Sequence, residues 1–398
     1  MWAGAVAALL VVLAGFTPSL SAVRGPAGGA NPAPASTTPT EPGAPGAPGA
    51  RVTASPADGA TAVNPTAPVT LSVTGGTLNN VALTNAGGKV VRGALDPAAS
   101  TYTTTEVLGY GNTYTWSGVV RSAAAAATPV TGSFTTVTPS RTASATLNIG
   151  DNRTVGIAAP IIVEFSSPIN DKAAVQKLMA VTTNPPTVGS WAWLPDGAAG
   201  ARAHWRPQNY WVPGTTVDVG LRLYGLQYAS GVYAMSDLTS HFTIGRSQIV
   251  KADVTSYRMQ VVRAGQTVMN IPVSYGAATE SRNVTRSGIH VVTDTIENLC
   301  MTNPPYYENV LEHWSVRISN NGEFIHANPQ SAASQGNANV TNGCVNLSTA
   351  DAKAYFDTVL YGDPVEVTGS SVPLSASDGD VYDWAIPWAD WQQLSASA

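Results

Sequence analysis

From residue 52 onward, apolar and polar side chains alternate in short runs broken by Gly, Pro, Asn and Asp. A period of two gives each segment one apolar face, the pattern of half-buried β-strands rather than of amphipathic helices. Val69-Thr70-Leu71-Ser72-Val73 is such a run, closed by Gly75-Gly76. Val90-Val91, Tyr114-Thr115-Trp116 and Ser133-Phe134-Thr135-Thr136-Val137 follow at the spacing of a small β-sandwich. The plan then recurs. Residues 161–165, 191–193, 203–205, 215–219, 221–225 and 241–244 predict the strands of a second sandwich. It holds one short helix over 172–178, with Asn170 as its cap.

A third unit begins near Ile249. Residues 259–263 and 267–271 predict a hairpin turning on Ala264-Gly265-Gln266. Residues 288–292 predict a strand, and 314–319 and 323–326 a hairpin around Asn320-Asn321-Gly322, since Asn-Gly tolerates the positive φ of a tight turn. Ser348-Thr349-Ala350-Asp351 resembles a capping box that opens a helix over 349–360, stopped by Gly362 and Pro364. Residues 365–368 form the last strand. The tail 371–398 carries Trp384, Trp388 and Trp391. Its expected role is to dock back and fill an interdomain seam, in preference to stacking on carbohydrate.

Composition adds what pattern cannot. The chain has 398 residues, long enough for two to four domains. Charged residues are only 11% and hydrophobic ones 44%, a balance nearer to secreted β-rich proteins than to cytosolic enzymes. A net charge of −5 without a basic run argues against a nucleic-acid partner. Residues 3–16 have the apolar length of a signal-peptide core, and 19–22 supply small residues for cleavage. Leu13-Ala14-Gly15 resembles a lipoprotein signal, but Phe16 stands where the lipidated cysteine belongs. Export is expected, with residues 1–22 either a cleaved signal or an anchor, and any membrane contact confined to them. Residues 23–51 are Pro, Gly, Ala, Ser and Thr, a composition that extends but does not fold.

The chemistry lies near the C-terminal end. Only two cysteines occur, Cys300 and Cys344, too few for a disulfide scaffold. Cys344 sits in Thr341-Asn342-Gly343-Cys344-Val345-Asn346, polar and glycine-tight surroundings unlike a core. A thiol attacks as thiolate, so it needs a base or a helix N-terminus nearby. The helix expected after Ser348 and the strand-end residue His326 are both at hand. Gly343 permits a tight turn, and the N–H groups of Asn342, Gly343 and Cys344 suit a developing oxyanion. On composition alone, a buried structural cysteine is the commoner reading of such a residue. Of the other histidines, His204 and His241 lie in the sandwiches, His290 sits in a strand with no nucleophile near in sequence, and His313, beside Trp314, reads as solvated or packed in preference to lining the cleft. No metal is expected, for want of His-x-x-x-His, Cys-x-x-Cys or a regular acidic loop.

His326-Ala327, then Asn339-Val340-Thr341-Asn342-Gly343-Cys344-Val345-Asn346, then Tyr361-Gly362-Asp363-Pro364-Val365-Glu366-Val367, resembles the signature of the L,D-transpeptidases. The two sandwiches and the Trp-rich tail are similar to their actinobacterial members. The fold so implied is mainly β: two tandem immunoglobulin-like β-sandwiches over 52–140 and 141–247, a β-rich catalytic domain with one or two short helices over 248–370, and the tail. The resemblance implies a peptidoglycan enzyme without cofactor that forms 3→3 cross-links. Its partners would be a donor tetrapeptide stem and the meso-diaminopimelate amine of an acceptor stem, with carbapenems as inhibitors. Cys344 would be nucleophile and His326 its base, oriented by the carbonyl of Ala327 or Asn328. Asn346, Asn321 and Gly322 would contact the donor stem, with Thr341 beside them. Residues 301–314, with Met301, Tyr306, Tyr307 and Trp314, would form a lid. Ala327 stands where many relatives carry Ser or Gly, and Asn342 replaces a frequent His. Two other readings stay open from sequence: a carboxypeptidase at the same site, with water as acceptor, and a wall-binding scaffold with an idle site.

Overall fold

The computed structural model describes residues 49–122 and 125–397. The expected signal or anchor and most of the spacer lie outside the described residues. In the first sandwich, one sheet is built from Arg51–Ser55, Thr70–Thr74, Gly93–Leu95 and Thr101–Thr104. The facing sheet centres on Thr77–Asn85 paired with Thr113–Ser122. Their inner faces carry Leu71, Leu78, Leu83, Tyr102, Trp116 and Phe134, all buried. Tyr102 meets Trp116 edge-on, ring centroids 5.8 Å apart, the arrangement that aromatic quadrupoles favour.

The second sandwich pairs Ala145–Leu147, Ile161–Phe165, Arg202–Pro207 and Gly189–Leu194 in one sheet. The other sheet holds Thr154–Val155, Leu238–Ile244, Thr216–Leu221 and Met179–Asn184. Helix α1 (Lys172–Gln176) is capped by Asp171, whose carboxylate accepts from the Ala174 N–H at 2.9 Å. Asn170 was the expected cap, but the cap must directly precede the first helical residue, and that residue is Asp171. The expected strand over 221–225 is likewise absent: the strand ends at Leu221 and the chain turns at Gly225, φ +84°. Tertiary contact decides this. Asn64 of the first sandwich donates to the Gly225 carbonyl at 3.0 Å, and Tyr224 donates its hydroxyl to the Leu108 carbonyl at 2.9 Å.

Arg202–Pro207 is buried on both faces, although its sequence alternates. Ala203 and Trp205 enter the sandwich core, and the tail covers the other face. There His204 Nδ1 faces Asp383 at 2.9 Å, and the Arg206 guanidinium lies 4.7 Å from the rings of both Trp384 and Trp391 and 5.2 Å from that of Trp388. The tail ends in helix α3 (Trp388–Gln393). Trp388 and Trp391 dock as a seam, packing with Ala192 and Leu194 of the sandwich and with Leu374 and Tyr382.

The third domain has a five-stranded sheet. Its strands are β1 (Gln248–Asp253), β2 (Arg258–Arg263), β3 (Gln266–Pro272) and β4 (Gly288–Val291). The second sheet holds β5 (Asp294–Asn303), β6 (Tyr307–Arg317), β7 (Phe324–Ala327) and β8 (Val345–Leu347). Strand β9 (Pro364–Thr368) returns to the first sheet between β1 and β4, so its spatial order is β3-β2-β1-β9-β4. Helix α2 (Thr349–Phe356) opens on Ser348, which accepts from the Asp351 N–H, and stops four residues short of the expected Leu360. Val250, Val261, Val316, Ile325, Val345 and Tyr355 fill the core between the layers. Residues 294–303 did not read as a strand because their side chains are mostly polar and most of them solvated. They pair along β6 as the first arm of a long hairpin.

Candidate active site

Two neighbouring strands bring the proposed pair together. β7 and β8 run parallel, with Ile325 opposite Val345 and His326 opposite Asn346. His326 ends up 3% exposed, and Cys344, one residue before β8, 9% exposed. The thiol thus stands at the floor of a cleft of about 310 Å³. Met301, Tyr307, Val310 and Glu312 line it from the hairpin, and Val340, Thr341, Asn342 and Asn346 from the Cys344 side.

Hydrogen bonds hold the cysteine loop. Thr341 donates its hydroxyl to the Cys344 carbonyl at 2.9 Å, and Asn346 Nδ2 donates to the same oxygen at 2.7 Å. The Thr285 hydroxyl donates to the Gly343 carbonyl at 2.7 Å while accepting from the Gly276 N–H at 2.9 Å. Among the described residues no acceptor meets the N–H groups of Asn342, Gly343 or Cys344. Gly343 has φ +116°, a conformation strained for any L side chain. A Cβ there would also stand 3.3 Å from the Val284 carbonyl oxygen. Gly343→Ala is therefore expected to cost about 1–3 kcal/mol of stability and to move the loop. Thermal unfolding and the rate of Cys344 alkylation by iodoacetamide check this. An unchanged melting temperature with unchanged labelling would show that the loop tolerates a side chain.

The histidine has two partners on one nitrogen. Nδ1 faces the Ala327 carbonyl at 2.9 Å and Glu312 Oε2 at 3.2 Å, so Nδ1 carries a proton. Asn328 does not orient the ring through its carbonyl, which accepts from Ser331 and Gln335 instead. Burial by itself would lower the His326 value. Hydrogen bonds and negative charge from Cys344 and Glu312 outweigh it and lift it to about 10. A proton is therefore held on the imidazole beside the sulfur, the arrangement of a nucleophilic thiol with a general acid.

The expected contact residues separate into groups. Thr341, Asn342, Asn346, Tyr307 and Met301 do line the cleft. The Gly322 carbonyl oxygen lies 3.6 Å from Cys344 Sγ. Asn321 turns away: its amide is spent on the Glu323 N–H and on Asp378. Tyr306 sits at the rim with the Arg282 guanidinium 3.5 Å above its ring, and Arg282 also donates to Asn342 Oδ1 at 3.0 Å. The residue replacing a histidine beside Gly343 is thereby tethered to the hairpin tip. Trp314 is not a cleft residue. Its ring packs on Phe356 and under Lys353 of α2, because a bulge between His313 and Val316, with Trp314 at φ +54°, turns it from the cleft. Cys300 is exposed, with a free thiol 3.9 Å from Asn309 Oδ1. Glu312, Thr285 and Arg282 were not singled out by sequence. They lie outside the cysteine motif, and only the fold brings them to it.

A bacterial Ig domain family matches residues 60–227, and the L,D-transpeptidase catalytic domain matches residues 247–367. The chain is 55% identical to L,D-transpeptidase 5 of Mycobacterium tuberculosis, over 87% of this chain and 77% of that protein. It is 33% identical to L,D-transpeptidase 2 of the same species, over 87% of this chain and 85% of that protein. A solved structure of an L,D-transpeptidase in complex with imipenem aligns over 56% of this chain and 97% of its own, at 30% identity and a TM-score of 0.48.

Proposed function

This chain belongs to the L,D-transpeptidase family, and on that footing we propose that it joins peptidoglycan stem peptides through a Cys344 acyl-enzyme. The observation that carries the reading is the buried His326 in the same cleft as Cys344, its Nδ1 held by the Ala327 carbonyl and Glu312. The thiolate attacks the carbonyl carbon of the third stem residue, a meso-diaminopimelate, and a C–S bond forms as an electron pair moves onto oxygen. The unpaired N–H groups of Gly343 and Cys344 stabilise that oxyanion, each worth roughly 3 kcal/mol. Collapse breaks the C–N bond, and the imidazolium passes its proton to the departing D-alanine amine. The side-chain amine of a second stem then attacks the thioester carbon, yields its proton to His326 and displaces the thiolate, leaving a 3→3 link. Carbapenems would open on the same sulfur and stay attached with their whole mass, since ring opening expels no group.

The sandwiches suit a spacer that sets the catalytic domain at a distance within the wall. The export expected for residues 1–22 would put the protein on the outer side of the membrane. Incubation with a disaccharide tetrapeptide tests the reaction: D-alanine is released and a 3→3 dimer accumulates. Released tripeptide without dimer would assign the carboxypeptidase reading. Intact mass after exposure to a carbapenem gives a one-to-one adduct at Cys344. Absence of both D-alanine release and the adduct would overturn the proposal.

A further inference from the structure

We infer that Glu312, on the hairpin that roofs the cleft, is a positioning residue for His326, a third member of the constellation beyond the backbone carbonyl. The inference rests on the reading of Cys344 and His326 as nucleophile and acid–base group.

Geometry carries it. Glu312 Oε2 and the Ala327 carbonyl share one ring nitrogen, 3.2 and 2.9 Å away. A carbonyl can orient an imidazole, but only a carboxylate adds a full negative charge to hold the imidazolium form. The carboxylate is shielded as well: its side chain is 14% exposed and that of His326 4%. In so dry a cleft the attraction is much less screened than at a surface.

The strand is shaped to deliver it. His313 pairs with Ala327, and the register then slips before Val316 pairs with Ile325. Trp314 sits in that slip at φ +54°, a left-handed conformation that costs an aromatic residue of order 1–3 kcal/mol. Bulges next to sites re-aim side chains. Here the kink leaves Glu312 facing the cleft, while His313 bonds Asn298 along the hairpin and Trp314 reaches α2. The helix-side contact of Trp314 keeps the kink, and the kink keeps Glu312 on His326. Other charged or titratable groups facing His326 are Cys344, from the loop before β8, and Tyr307, from the same hairpin. Arg282 stands beyond Tyr307. Among the described residues Glu312 is the one anion on the Nδ1 side.

The test is Glu312→Gln, close in shape and without charge. Imidazole resonances are titrated by NMR in the free enzyme, with His326→Gln identifying the His326 signal. The expected midpoint falls by about one pH unit or more, since a hydrogen bond to an anion and its charge are both lost. The alkaline limb of D-alanine release moves to lower pH by the same amount, and Glu312→Asp falls between the two. A wild-type midpoint in the folded Gln variant would overturn the inference. Should that variant not fold, Glu312→Asp decides alone: a lowered midpoint supports it and an unchanged one overturns it. The NMR midpoint needs no turnover, so failure of the inference is read separately from failure of the transpeptidase reading.

Discussion

Cys344→Ala is expected to lower D-alanine release from a tetrapeptide stem by about 10⁴-fold or more, to the background rate. The substitution deletes a single sulfur at a site 9% exposed, so no large cavity opens. The Ala327 carbonyl and Glu312 still hold Nδ1 of His326, so the ring stays in place. One of its two sources of negative charge is gone, and the His326 midpoint falls below its wild-type value near 10. The pH dependence of stability follows from the direction of that shift. A histidine whose value rises on folding contributes stability in full below its ordinary value of about 6.5, and loses it as pH climbs towards 10. The wild-type protein should therefore lose more stability than the variant between neutral pH and pH 10. Mass spectrometry after carbapenem exposure separates the two thiols. The variant retains Cys300, exposed on the hairpin, and should take no adduct. An adduct in the variant, or undiminished D-alanine release, would remove Cys344 from the mechanism.

Trp391→Ala should have the largest effect on stability, about 3–5 kcal/mol for a fully buried tryptophan. Trp391 is 0% exposed, packs with Leu194, Leu374 and Tyr382, and donates its indole N–H to the Ser190 carbonyl at 3.0 Å. Its loss also uncovers one side of Arg206. Burial draws that guanidinium down to about 10, with only the charge of Asp383 opposing it. It is held by ring faces and by the Ile386 carbonyl at 2.7 Å rather than by a close ion pair. Removing a ring leaves a buried cation facing a cavity, which adds to the transfer cost. Calorimetry should show a fall of on the order of 10 °C, given about 2–4 °C per kcal/mol for domains of this size. Labelling of Cys344 at low temperature should change little, because the tail docks on the sandwich sheet rather than on the cleft. A melting temperature within a degree or two of wild type would show that the tail does not clamp the second sandwich.

Much of the site was legible because its central residues are contiguous. Thr341 to Asn346 form one loop, and a glycine before a cysteine in polar company signals chemistry without a fold. His326 was legible because it ends a strand eighteen residues before Cys344, the order and spacing of the family motif. Trp314 misled. The family resemblance placed it in a lid over the cleft, yet a one-residue slip turned it onto α2 and left Glu312 facing the histidine. Bulges leave no mark in a period-two pattern, since the slip is set by what the partner strand and α2 offer. The resemblance implied Asn321 as a donor-stem contact, and nothing local in the sequence signals that its amide reaches Asp378, from the tail side.

By itself, the sequence determined the strand-rich class, the recurrence of two sandwiches before the third domain, and the turns at glycine and asparagine. These follow from side-chain period and local backbone preference, which act within a few residues. Tertiary structure alone decided where long-range partners fall. It buried both faces of Arg202–Pro207 under the tail, spent the left-handed turn at Gly225 on contact with the first sandwich, and set Thr285, Arg282 and Glu312 around the thiol. The physical reason is that hydrogen bonds and charge act over a few ångströms of space. Which residues come that close depends on strand register and layer packing, and the spacing of residues along the chain does not encode either one locally.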